Sequence, residues 1–396
     1  MKSIYAVIFS LLALGSFAQT RTTIANGNAT NPFTWDCTCV PTSGNDIVIN
    51  HQLTLDVDFA YTSGSVTVNA SGALLGNSPN RILAVGGGAF HNYGNVNIAN
   101  MYQNGGTFMN HATMTITNAF GVDLTAVTSN MGTFTVSDSL YINSSATFSN
   151  TGTLNAVVTA SAGTLTTTGS FTGTDLWTTG TVNHNSGSFS IANIYNSGTL
   201  TTQAPMIVSN DFWNAENVDI NHDLIISHSL YNGDTTGGGA TFNNDGLVSI
   251  TQDFVNSKTV SGTGRFCIGQ GTTNSGSING TLDICDQTGG SIDLNSGTVA
   301  GTVTFCATSC NVGVEETSSN EVHIVPNPFN DVFEIRSEQS MNYQLTVVNA
   351  IGQQVLSMNY NGNVIRLDAS TLSSGMYFYR LVSNRELVSS GKLIKR

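Results

Sequence analysis

The sequence is short of charge, and above all of positive charge. Only 9% of its 396 residues are charged, with 12 Lys and Arg against 25 Asp and Glu. A typical soluble chain carries about 25%. Nucleic acid is excluded as a partner, because a phosphate-binding surface needs clustered Lys and Arg. Proline is scarce at 6 residues. Past Ala18 no run is apolar and long enough to cross a bilayer as a helix. No GxSxG elbow, Walker loop or dinucleotide fingerprint is present. The histidines, His51, His91, His111, His184, His222, His228 and His323, show no metal spacing such as HxxxH. His91 and His111 lie one repeat apart and are expected to stack. No catalytic residue, metal ligand or cofactor is assigned.

What remains is apolar and small-polar. The chain is 40% hydrophobic, holds 41 glycines, and is crowded with Thr, Ser and Asn. A net charge of −13 spread over this length does not describe a disordered chain. The length allows more than one domain. Residues 19–322 carry only Arg21, Arg81, Lys258 and Arg265 against 20 acids, whereas residues 323–396 carry 7 basic and 5 acidic residues. That shift marks two bodies.

Residues 1–18 read as a secretory signal peptide. Lys2 supplies the positive end, Ile4 to Leu14 the short apolar run, and Ser16-Phe17-Ala18 the small residues before a cleavage site. Outside the cytoplasm, Cys37, Cys39, Cys267, Cys285, Cys306 and Cys310 read as disulfide candidates. Cys267, Cys285 and Cys306 follow one another at nearly equal steps. One bridge is therefore expected to tie neighbouring coils, with Cys310 closing the end.

Those steps match a repeat. Gly94-Asn-Val-Asn-Ile98, Gly132-Thr-Phe-Thr-Val136, Gly152-Thr-Leu-Asn-Ala156 and Gly246-Leu-Val-Ser-Ile250 share one alternating pattern. Aligned on the first apolar position, Val96, Met114, Phe134, Leu154, Val182, Leu200, Val218 and Val248 recur mostly at one nearly constant step, that from Val96 to Met114. Period-two alternation means a strand with one buried face. Its regular return predicts an all-β fold, a parallel β-helix (β-solenoid) with internal apolar ladders. An array of β-sandwiches would need longer units and hairpin turns, which do not dominate here. The long steps from 154 to 182 and from 218 to 248 predict an extra strand or loop, with Thr235 to Gly239 as a loop tip. Phe90-His-Asn92, Phe108-Met-Asn110, Phe148-Ser-Asn150 and Phe242-Asn-Asn244 predict aromatic stacking and an Asn ladder at a corner. The opening segment, Thr34-Trp-Asp-Cys-Thr-Cys-Val-Pro41 through Leu53-Thr-Leu-Asp56, resembles extracellular G-eight-type domains and the first coil of bacterial surface β-helices. Trp35 is expected to cover the open end of the ladder.

The tail has another texture. Segments around Phe333–Ile335, Tyr343–Asn349, Gln354–Tyr360, Val364–Leu367, Met376–Val382 and Leu387–Ile394 are six of about seven short strands expected in a small antiparallel β-sandwich. Val325-Pro-Asn-Pro-Phe329, Val348-Asn-Ala-Ile-Gly-Gln-Gln-Val355, Leu372-Ser-Ser-Gly-Met-Tyr-Phe-Tyr379 and Gly391-Lys-Leu-Ile-Lys395 resemble, in order, the type A C-terminal sorting domain of the type IX (Por) secretion system. The resemblance implies a Bacteroidota-type bacterium and passage through the periplasm. It further implies the type IX secretion machinery as partner and a product released or held on cell-surface lipopolysaccharide. Pro326, Asn327, Pro328, Gly352, Gly375, Tyr377, Lys392 and Leu393 are the sorting-signal candidates. Tyr377, Tyr379 and Leu381 are expected in the core, and Lys392, Lys395 and Arg396 toward an acidic receptor.

The expected organisation is a signal peptide (1–18), cap and first coils (19–70), solenoid (71–312), linker (313–322) and sorting domain (323–396). Two readings of function stay open. One is a secreted or cell-surface structural and adhesive protein, an adhesin, whose Thr, Ser and Asn ladders bond surface glycans. The alternative is an extracellular β-helix polysaccharide lyase or glycoside hydrolase, for which basic residues are few. Asp56 with Asp58, and Asp219 with His222 and Asp223, are the acidic groups closest to a cation site. Both read as solvated flank or corner residues.

Overall fold

The computed structural model describes residues 19–233, 239–308, 310, 322–349, 353–383 and 386–396. Residues 1–18, expected as a signal peptide, residues 235–238 of the expected loop tip, residues 313–321 of the expected linker and Gly352 lie outside them. The chain divides into two units, residues 1–310 and 311–396. Regular structure among the described residues is β throughout, apart from one 3-10 turn at Pro32–Thr34.

The first unit is a parallel β-solenoid. A coil carries three strand segments, such as Ala89–Asn92, Asn95–Ile98 and Asn100–Asn104. The first segments stack into a 15-stranded parallel sheet, and the other two form a 24-stranded one. Val96, Met114, Phe134 and Leu154 are register partners on successive rungs and are fully buried. Each such side chain contributes roughly 1.5–3 kcal/mol by leaving water. Phe90 stacks on Phe108 with ring centres 5.1 Å apart.

After Leu154 the ladder runs on through Phe171, Phe189, Met206, Leu224 and Val248. Val182, Leu200 and Val218 belong to another side of the coil, stacked above Phe148 and Leu165. The long step from Leu154 to Val182 is therefore a change of side, not an insertion. The difference has a physical origin: two sides of the coil share one alternating signature, and alternation does not say which side a strand occupies. The step to Val248 also changes side, but here the coil is truly longer. Val218 pairs with Phe242, further along the chain than Val218 itself lies from its other partner, Leu200.

The corners hold two amide ladders. Asn92 donates to Asn110, Asn110 to Asn130 and Asn130 to Asn150, each at 2.8 Å, and Asn150 donates to Thr167. A second ladder runs from Asn196 through Asn214, Asn232, Asn256 and Asn274 to Asn295. These amides also reach backbone groups around the turns, as Asn110 does at the Thr133 carbonyl, so the ladder's own buried amides are satisfied. Turns stack as tightly as strands. A Cβ on Gly152 would collide with the backbone of Met131 and Gly132 in the preceding coil, which is why glycine opens the repeat motif.

Both ends are closed. Trp35 is 1% exposed, donates its indole N–H to the Ala29 carbonyl at 3.0 Å, and joins the core containing Ile47, Ile49 and Leu53. Close by in the chain, Cys37 bonds to Cys39. At the other end Cys285 bonds to Cys306 and Cys267 to Cys310. Cys306 follows the strand that stacks in register on Ile284, so the Cys285–Cys306 bridge ties neighbouring coils as the spacing predicts, whereas Cys267, the register neighbour of Cys285, takes Cys310 from the segment beyond.

Among the described residues the second unit is an antiparallel sheet of five strands rather than about seven. Two predicted pairs are fused, into Val332–Asn349 and Gln354–Asp368, because the two long strands pair along their lengths with a bulge after Arg336 instead of a break. Val322–Val325 and Gly375–Ser383 flank the two halves of the first long strand, and Glu386–Lys395 follows. A bridge between Phe329 and Lys395 brings the sheet close to closure. Phe333, Ile335, Leu345, Leu381 and Leu393 form its core.

Candidate functional site

The outer face of the 15-stranded sheet is a hydroxyl surface. Thr147, Thr164, Thr181 and Thr199 are register partners on four successive rungs, followed by Asn217, Thr241 and Thr259. Branched Cβ atoms favour the extended backbone and leave the hydroxyls outward.

A different side carries an aromatic ladder. Trp177, Tyr195, Trp213 and Tyr231 are register partners on consecutive coils. Their ring centres are 3.7, 4.5 and 5.7 Å apart and their planes lie within 9° of parallel. Leu176, Ile194, Phe212 and Leu230 beside them point inward and are buried, so strand alternation puts the rings outside. Trp177 is 49% exposed. A second polar line flanks the rings: Asn193 donates to Asp175 at 2.8 Å, Asn210 donates to Asn193 at 2.7 Å, and Asp211 accepts from the Ser229 N–H. Partial burial, then Asp175 and Asp211, push the Tyr195 hydroxyl above its ordinary pKa. Sequence reading missed this ladder. Its signal was an aromatic residue once per coil from Trp177 to Tyr231.

The acidic groups singled out from sequence do not converge. Asp56 accepts from the Thr30 N–H, and Asp58 faces Arg81 at 3.7 Å. Burial opposes ionisation of Asp56, but the Thr30 bonds outweigh it and its carboxyl sits below the usual value. Asp219 accepts from Asn243, while His222 and Asp223 contact each other. Among the described residues no group of three or more His, Cys, Asp or Glu is arranged to hold a metal. His91 and His111 stack through Tyr93 rather than on each other.

In the tail, the Asn327 amide donates to the Lys392 carbonyl at 2.7 Å and accepts from the Ile394 N–H at 2.9 Å, so it ties the Pro326-Asn-Pro328 turn to the last strand. Tyr377 is buried and donates to the Ser373 carbonyl at 2.7 Å. Leu393 is buried, Lys392 is exposed, and Gly375 has φ +154°. Tyr379 is half-buried, and its ring lies over Gly391, its cross-strand partner. Lys395 corrects the sequence reading. It is 7% exposed and its ammonium donates to the Ala369 and Ser370 carbonyls, so it is not offered to a receptor. The alternation that exposes Lys392 buries Leu393 and exposes Ile394 in part; Lys395 falls on the inner side, and its long stem carries the charge to backbone acceptors.

No helix among the described residues is long and apolar enough to cross a membrane. No curated protein matches the chain. Among solved structures the chain is similar to chitinase ChiW from Paenibacillus sp. str. FPU-7, a bacterial cell-surface-expressed multi-modular enzyme. The identity is 12% and the TM-score 0.16, over 86% of this chain and 24% of that one. The chain thus spans a minor part of that protein, and a likeness at this score carries no argument. The family model for the secretion system C-terminal sorting domain matches residues 323–396. Those residues are a type IX sorting domain, and the chain that carries them is exported by that system to the cell surface.

Proposed function

We propose that the exported solenoid is an adhesive surface protein that binds neutral glycans through its outer faces. The observation that carries the reading is the aromatic ladder of Trp177, Tyr195, Trp213 and Tyr231, held toward solvent beside a line of Asn and Asp acceptors and donors. Apolar rings flanked by hydrogen-bonding groups suit ligands that have apolar C–H faces and hydroxyl rims. The threonine face adds a regular array of donors and acceptors. Acidic residues prevail over basic ones across the solenoid, which opposes anionic polymers.

In the sorting domain, Asn327, Tyr377, Gly375 and Leu393 act as structural residues that shape the fold. Lys392, exposed and paired across the strands with exposed Phe378, meets the secretion machinery.

The test is incubation of the full secreted chain with insoluble neutral and anionic polysaccharides, scored for retention and for new reducing or unsaturated ends. Retention on a neutral polymer without product supports adhesion. Cleavage would replace it with the polysaccharide-degrading alternative.

A further inference from the structure

The aromatic ladder has a missing rung. Below Trp177 the same outward column continues through Ala160 and then Tyr141. Tyr141 is 44% exposed and Trp177 49%, whereas Tyr195 and Trp213, with a ring on either side, are only half-exposed. Ala160 itself is partly open to solvent. One rung further, Gly121 also lacks a ring of its own, but there the Tyr102 ring leans over the gap, so close that a Cβ on Gly121 would strike it.

We infer that the Ala160 gap, walled by Tyr141 and Trp177, is a binding slot for one pyranose unit of a neutral glycan. This rests on the glycan-binding reading above. Rungs of a parallel sheet are about 4.8 Å apart, so the two walls spring from backbones separated by about 9.6 Å. Carbon atoms in contact sit about 3.5–4.0 Å apart, so a flat ring centred in the gap leaves slack on both sides. A puckered saturated ring with axial hydrogens is thicker and fills it. Its C–H faces meet the two aromatic walls, and its hydroxyls project from the rim. Asp175, two residues from Trp177 on the same face, accepts from Asn193 and has further lone pairs for a hydroxyl donor. Asp138 lies at the outer bend of the Tyr141 strand, exposed. These carboxylates select a neutral sugar over an anionic one.

The slot is tested on the full chain with neutral tetrasaccharides of glucose, mannose and N-acetylglucosamine and with a sulfated tetrasaccharide. Calorimetry reads affinity, and tryptophan emission reads location. The expected result is saturable binding of at least one neutral tetrasaccharide with a shift in emission, no binding of the sulfated one, and loss of the emission shift in Trp177→Phe. Ala160→Phe, which completes the ladder, should weaken binding at least tenfold without lowering the thermal midpoint. Tyr141→Ala should weaken it in the same direction by removing a wall. Affinity of Ala160→Phe within twofold of the parent would overturn the slot, as would no response to any neutral tetrasaccharide. Polymer retention measured in parallel separates the two claims. Retention that persists in Ala160→Phe while tetrasaccharide binding is unchanged leaves adhesion standing and removes the slot. Tetrasaccharide binding in a chain that retains no polymer keeps the slot and removes adhesion.

Discussion

Asn196 donates its side-chain amide to Asn214, one coil further on, at 2.7 Å, and Asn214 passes the same bond to Asn232 at 2.8 Å. Asn214 also donates to the Glu216 and Thr241 carbonyls and accepts from the Glu216 N–H. One side chain thus satisfies a turn, the next coil and the previous one. Asn214→Ala leaves several buried polar groups without partners and should cost about 3 kcal/mol. Asn97→Ala, at an exposed position, is the control and should stay within about 0.5 kcal/mol. Chemical denaturation of both variants checks the contrast.

Thr159 lies inside the solenoid with its hydroxyl buried and, among the described residues, without a hydrogen-bond partner. Valine has the same shape and no polar atom. Thr159→Val should therefore raise stability by about 1 kcal/mol, an unusual direction for a core substitution. A lowered denaturation midpoint would contradict the assignment of that hydroxyl.

The terminal segment is clamped by charge as well as by sulfur. Asp283 accepts from the Ala307 and Thr308 N–H groups at 3.0 and 2.8 Å and from the Thr304 hydroxyl at 2.9 Å. Burial raises its pKa, but these bonds and Arg265 outweigh it and hold the carboxyl below its ordinary value. A depressed folded value stabilises the protein above the unfolded value, and that contribution is lost as pH falls through the folded one. The clamp should hold at neutral pH and loosen only at a pH below the ordinary aspartate value. Hydrogen exchange at Ala307 and Thr308, corrected for intrinsic rates, should accelerate there. Asp283→Asn should remove most of that acceleration by weakening the clamp at every pH.

The Cys267–Cys310 bridge closes a sequence separation of 43 over the last coils. The chain-entropy relation gives about 4 kcal/mol for a loop of that size. Replacing both cysteines by serine should fray the final coils first, since a solenoid loses its rungs from the ends. Limited proteolysis should then cut between Ile268 and Thr308 while the Asn92–Thr167 ladder stays protected.

Removal of residues 323–396 should leave the solenoid in the periplasm. Lys392→Ala should reduce surface delivery while the tail keeps its fold, because Lys392 is exposed. Lys395→Ala should instead destabilise the tail, because its buried ammonium holds the Ala369 and Ser370 carbonyls. Cell fractionation together with thermal melting of the isolated variants distinguishes the two.

The coil is legible in the order of residues alone. Alternation that returns at a nearly constant step admits one economical packing, and Val96, Met114, Phe134 and Leu154 read as rungs because each coil buries the same position. The corner amides at Asn92, Asn110 and Asn150 are legible for the same reason, and the sorting domain through its ordered motifs. The side of the coil that a strand takes emerges only on folding, since two sides share one pattern; Val182 was misplaced on that account. Folding also sends Cys267 past its register neighbour to Cys310, because the terminal segment folds back over the pair. It stands Trp177 and Tyr195 stacked in solvent while Phe134 lies inside. Burial is set by which way the strand faces, and a single aromatic letter does not carry that direction.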